Sequence, residues 1–107
     1  MSIVRVLLVE DFEPFRRLVC SILGKRLELQ IIGEASDGME AVRKAQELQP
    51  DLILLDVGLP TLNGIEAARQ IRKLVPASKI VFVSQESSAD VTEEALRTGA
   101  SALLATL

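Results

Sequence analysis

The sequence predicts an α/β fold: one central sheet of parallel strands, with helices wound on both of its sides. Three observations carry that expectation. Runs of branched aliphatic residues lack polar alternation, helical stripes lie between them, and the connections are short and rich in turn residues. In chain order the runs are "IVRVLLV" (3–9), "LQIIGEA" (29–35), "DLILLD" (51–56) and "KIVFVS" (79–84), with "SALLA" (101–105) as a short fifth. Near-continuous hydrophobicity marks strands covered on both faces.

Each interval reads as helix. Phe15, Leu18, Val19, Ile22 and Leu23 recur at helical spacing behind Pro14, which suits a first helical turn, and Gly24 helps close the run. "DGMEAVRKAQEL" and "NGIEAARQIRKL" open alike, with Asp37 and Asn63 as N-cap residues and Glu40 and Glu66 three positions on. Their apolar sides are Ala41, Val42, Ala45 and Leu48, and Ile65, Ala68, Ile71 and Leu74. A fourth helix is expected from about Ser88 to Thr98, burying Val91 and Ala95 and ending at Gly99. Right-handed crossovers turn this alternation into a doubly wound sheet, and five strands in 107 residues favour the flavodoxin-like order 2-1-3-4-5 over the larger Rossmann order.

Composition narrows the function. The chain is long enough for one domain, expected over 1–107, and three Phe with no Trp or Tyr leave an aliphatic core. A net charge of −3 without a basic run argues against direct nucleic-acid binding and against an anionic membrane surface. A single cysteine, Cys20, with no signal peptide and no long apolar span, points to the cytoplasm. Because the chain has no His, any acid, base or metal chemistry falls to carboxylates.

A parallel sheet delivers the C-terminal ends of its strands to one edge, where ligands collect at the point of order reversal. Glu10 and Asp11 follow the first strand, Asp56 ends the third, and Ser84 ends the fourth. Clustered carboxylates repel and raise one another's pKa unless a cation intervenes, and hard oxygen donors without His or Cys favour Mg²⁺. Such a set suits phosphoryl transfer with Asp as nucleophile. Each residue alone has a plainer reading: Asp11 as a helix cap or dipole partner, Ser84 bonded to loop backbone, Cys20 packed as a small hydrophobe, Gly58 and Pro60 as turn formers. The joint placement carries the weight. No spaced-glycine fingerprint or Walker loop supports a nucleotide site.

The segments "LLVED" (7–11), "GEASDGMEAV" (33–42), "DLILLDVGLPTLNGIEA" (51–67), "VFVS" (81–84) and "TGA" (98–100) together resemble a response-regulator receiver domain of two-component signalling. The wording is most similar to the subclass fused to a helix-turn-helix output domain. The resemblance implies that Asp56 accepts a phosphoryl group from a sensor histidine kinase. It further implies that Asp11, Glu10 through water, Asp56 and the backbone carbonyl of Gly58 hold Mg²⁺, and that Ser84 is the switch hydroxyl. At the C-terminus the pattern departs: Leu103 stands where the family has an aromatic and Thr106 where it has a phosphoryl-pairing Lys. With no fifth helix before Leu107, the domain is expected to be truncated or altered, and its uncovered face to favour a homodimer or swapped oligomer. The competing expectation is a degenerate receiver acting as a phosphorylation-independent binding module. An aspartate-nucleophile phosphatase is disfavoured, because Val57, Gly58 and Leu59 supply no second acid after Asp56.

Overall fold

The aliphatic runs form strands because branched side chains suit a pleated surface and no proline interrupts them. The computed structural model describes residues 2–84, 97–98 and 102–105. Within these the elements are β1 (Val4–Val9), α1 (Glu13–Leu23), β2 (Leu29–Ala35), α2 (Gly38–Leu48), β3 (Leu52–Asp56), α3 (Gly64–Leu74), β4 (Lys79–Ser84) and β5 (Ala102–Ala105). The expected fourth helix lies outside the described residues except for Arg97 and Thr98, and so does Thr106. Among the described residues no helix is long and apolar enough to cross a membrane.

All strand pairs are parallel, in the order β2-β1-β3-β4-β5. This is the flavodoxin-like arrangement expected from the sequence. Val6 to Val9 pair with Leu52 to Leu55, and Asp56 pairs with Val83. Side chains alternate across the sheet. Leu7, Val9, Ile53, Leu55, Ile80 and Phe82 join one buried cluster, while Val6, Leu8 and Leu54 belong to another on the opposite face.

The first face is sealed by α2 and α3 through Ala41, Val42 and Ala45, and through Ile65, Ala67, Ala68 and Ile71. The alanines let both helices seat close to the strands. The second face meets α1, which has no fully buried residue. Its five-residue stripe divides: Phe15, Val19 and Leu23 are half-buried, whereas Leu18 and Ile22 are 54% and 55% exposed. In α3 the expected Leu74 is half exposed, and Ala67 is buried instead.

The helix starts follow their chemistry. Asp37 accepts from the Glu40 N–H at 2.8 Å and Asn63 from the Glu66 N–H at 2.9 Å. The return bond differs from the expected box, because Glu40 Oε1 accepts from Ser36 N–H at 2.8 Å and Glu66 turns to Arg69 at 3.1 Å. Gly24 follows α1 in right-handed conformation, while α2 is closed by Gln49 at φ 49°.

The two acids that bracket "DLILLD" have separate duties. Asp51 ties the N-terminal edge: its Oδ2 accepts from Arg5 N–H at 2.9 Å, its own N–H donates to Arg5 O, and its O accepts from Lys79 N–H at 3.0 Å. The Arg5 guanidinium then reaches the last carbonyls of α2, Leu48 O at 2.7 Å and Gln49 O at 2.8 Å, where positive charge complements the helix dipole. Asp56, five residues on, emerges at the opposite edge.

Candidate functional site: an acidic cluster at the carboxyl edge of the sheet

The site is built at the reversal point, where β1 lies between β2 and β3. Glu10 immediately follows β1, and its N–H continues the ladder to β2 by donating to Ala35 O at 3.0 Å. That bond and a relative exposure of only 5% hold Glu10 as part of the sheet rather than of a loop. Asp11 is exposed beside it, and Asp56 is half-buried at the end of β3. One carboxylate oxygen from each of Glu10, Asp11 and Asp56 lies within 4.8 Å of the others.

Asp11 does not cap α1. The N-cap of α1 is Phe12, and it has no side-chain capping bond. The Phe12 N–H donates instead to Glu10 Oε2 at 3.2 Å, and the Gly58 N–H donates to Asp56 Oδ1 at 3.3 Å. Glu10 and Asp56 therefore each accept from one backbone amide. Arg16 adds a side-chain tie, with Nη1 donating to the Glu10 carbonyl at 3.0 Å and Nε to Glu34 Oε1 at 3.1 Å. No local pattern marks Arg16 in the sequence; only the seating of α1 across the end of β1 brings it there.

Burial pushes the Glu10 carboxyl up to about 8, and hydrogen bonding with Asp11 and Asp56 together with the Asp56 charge push the same way against the Phe12 amide. Asp56 is also raised, first by burial, with hydrogen bonds from Glu10 and the Gly58 amide pulling it part of the way back. Both carboxyls are thus held above their ordinary range by the partly desolvated site they share. Three carboxylates gathered this closely in a partly desolvated site leave it deficient in positive charge. Its all-oxygen donor set, without sulfur or imidazole, fits a small hard divalent cation such as Mg²⁺.

The remaining expected residues are placed as follows. Gly58 is exposed, with open space where a side chain would be. Ser84 ends β4 one position beyond the Val83 that pairs with Asp56, so its backbone reaches the same rim. Leu103 sits in β5 opposite Phe82. Cys20 is half-buried with Sγ 3.6 Å from Glu34 Oε1. Burial and the Glu34 charge raise its thiol, which disfavours the reactive thiolate.

The sequence profile described as "Response regulator receiver domain" matches residues 6–105. The chain is 43% identical over 100 residues to a protein-glutamate methylesterase/protein-glutamine glutaminase of Thermotoga maritima, covering 92% of this chain and 29% of that protein. It is 38% identical over 96 residues to the chemotaxis protein CheY of the same organism, covering 90% of this chain and 79% of CheY. Among solved structures, the response regulator domain of Thermotoga maritima CheB superposes with a TM-score of 0.90 at 40% identity, over 96% of this chain and 78% of that one. The chain therefore spans under a third of the methylesterase it matches and about four fifths of CheY. A profile matched over residues 6–105, relatives of this identity and the observed strand order agree that the chain belongs to the response regulator receiver domain family.

Proposed function

We propose that this domain accepts a phosphoryl group on Asp56 from the phosphohistidine of a sensor kinase and passes the signal on by a change of conformation. The observation that supports this most is the meeting of Glu10, Asp11 and Asp56 at the reversal point of the sheet. An Asp56 Oδ attacks phosphorus, the P–N bond breaks, and its electron pair leaves with the imidazole, giving an aspartyl phosphate. Leu52 to Leu55 anchor the strand that aims this carboxylate, so little reorganisation is needed. Glu10, Asp11, Asp56 and the Gly58 carbonyl would hold Mg²⁺, which when bound supplies positive charge to the transferring phosphoryl oxygens. Ser84, at the same rim, is the hydroxyl that would bond the phosphoryl group only in the modified state, biasing a two-state element.

On this reading the domain is a signalling module rather than an enzyme, cytoplasmic like the kinase domain that feeds it, and bound to protein partners rather than to DNA. Relatives include both methylesterases and the transcriptional regulatory protein LnrK of Bacillus subtilis, so one receiver design serves different outputs. The half-covered α1 face supports self-association as a homodimer or by segment exchange.

Beryllofluoride with Mg²⁺ should shift the amide resonances of residues 56–58 and of Ser84 in wild type and leave Asp56→Asn unmoved. An unresponsive wild type would overturn the proposal. A second reading, a binding module that keeps the fold without the switch, is favoured by Leu103 and Thr106 in place of the family's aromatic and Lys. It requires that Asp56→Asn leave partner binding and oligomeric state unchanged.

A further inference from the structure

Capping accounts for Asp37 and Asn63 in the two matched helix openings, but not for the glycines that follow them, Gly38 and Gly64. Glycine weakens a helix, so its presence in two first turns needs a separate cause. Neither residue has a φ in the left-handed region, which removes conformational freedom as that cause.

Space is the cause. A Cβ on Gly38 would lie 1.8 Å from the Leu62 carbonyl oxygen and 2.6 Å from its carbonyl carbon. On Gly64 it would lie 2.0 Å from the Asp56 carbonyl oxygen and 2.8 Å from Val57 Cα. These obstacles are backbone and cannot swing aside. Hydrogen bonds close the same contacts, from Gly38 N–H to Pro60 O at 3.4 Å and from Gly64 N–H to Val57 O at 2.8 Å. The segment from Asp56 to Asn63 is thus pressed between the first turns of α2 and α3. It also holds Thr61 at φ 62°, a conformation that a β-branched residue keeps only when its surroundings enforce it.

We propose that Gly38 is a positioning residue for the acidic site: by admitting the Leu62 backbone against α2, it sets the course of the loop that carries Gly58 away from Asp56. Gly64 holds the near end of that loop at Asp56, and Gly38 holds the far end. The inference rests on the reading of Asp56 and Gly58 as part of a Mg²⁺ and phosphoryl site. Gly33 provides an internal contrast, because its Cβ would meet side-chain methyls and no backbone, Leu48 Cδ1 at 2.7 Å and Leu7 Cδ1 at 3.4 Å.

The test compares wild type, Gly38→Ala and Gly33→Ala as the full 107-residue chain, titrated with MgCl₂ by calorimetry at a temperature where circular dichroism shows each to be folded. Gly38→Ala should weaken Mg²⁺ binding by about tenfold, the scale seen when an outer support of a metal site is lost, and should shift the Gly58 and Thr61 amide resonances. Gly33→Ala should leave both unchanged whatever its thermal stability. If Gly38→Ala does not fold, Leu62→Gly loosens the same contact without adding atoms and should weaken Mg²⁺ in the same direction. Wild-type Mg²⁺ affinity in the folded Gly38→Ala protein, or failing that in Leu62→Gly, overturns the proposal. A wild type that neither binds Mg²⁺ nor responds to beryllofluoride overturns the site reading, and this inference with it.

Discussion

On the α2 and α3 side of the sheet Leu7, Ile53, Leu55, Ile71, Ile80 and Phe82 are wholly sealed, whereas on the α1 side Val6, Leu8 and Leu54 are buried and Leu18 and Ile22 stand more than half exposed. The strands are aliphatic on both faces, and among the described residues the difference lies in the helices that meet them. Ala41, Ala45, Ala67 and Ala68 allow two helices to lie close to one face, while α1 meets the other through half-buried Phe15, Val19 and Leu23. Asp56 shares its face of β3 with Leu52 and Leu54 and so leaves the strand toward the α1 side, yet the loop that follows it is gripped by α2 and α3. Among the described residues the acidic site therefore stands at a seam, supported from one face by α2 and α3 and met on the other by α1 alone. Strength of packing and access to solvent are divided between the two faces of one sheet.

The comparison breaks most visibly in the sealed face. Ile71→Ala should lower the unfolding free energy by about 3–4 kcal/mol, since a cavity between α3 and the sheet has no solvent-facing neighbour free to collapse into it. Urea denaturation reads this directly, and a loss under about 1 kcal/mol would mean the two faces are not packed differently.

Next in size is the seam itself. A buried carboxyl raised from 4.5 to about 8 keeps its proton in the folded state after the unfolded chain has released it, so stability without divalent cation should fall as pH rises from about 4.5 to 8. Below that window both states are protonated and the term vanishes. Glu10→Gln should flatten the slope, and Mg²⁺ should raise the melting temperature more at pH 8 than at pH 5; equal shifts at the two pH values would argue against Glu10 as the proton holder.

Leu54→Ala, on the lighter face, should cost about 2 kcal/mol, less than Ile71→Ala because half-buried Val19 and Leu23 can settle into the space. Parity between the two variants in the same denaturation series would erase the distinction. The smallest effect is expected at Ile22→Ser, within about 0.5 kcal/mol for a side chain already 55% exposed. If the α1 face mediates self-association, the same variant should lower the mass seen by light scattering at high concentration, and a wild type that is monomeric at every concentration would remove that role.

Much of this arrangement is legible in the linear chain. Unbroken aliphatic runs mark strands buried on both faces, and Asp37 and Asn63 mark helix starts whose capping bonds form as the residue types require. The three acids were legible because a parallel sheet sends every strand end to one edge, so Glu10, Asp11 and Asp56 needed only the strand order to meet. Other features were hidden. The apolar stripe of α1 gives no sign that Leu18 and Ile22 would lie outside the contact, because periodicity reports which side of a helix is apolar and not how much neighbour it finds.

The sequence by itself determined the elements, their order and the acids that collect at the rim, since these depend on local propensity and on the geometry common to parallel sheets. Only the tertiary structure decided that Asp51 stitches one edge while Asp56 serves the other, that Arg16 reaches the Glu10 carbonyl, and that burial pushes the Glu10 carboxyl up. It alone explains Gly38 and Gly64, two residues that look like interruptions in helix-forming segments until the loop between β3 and α3 is seen lying against their bare α-carbons. Local signals are written in neighbouring residues, whereas desolvation and close backbone approach depend on which distant atoms fill the surrounding space.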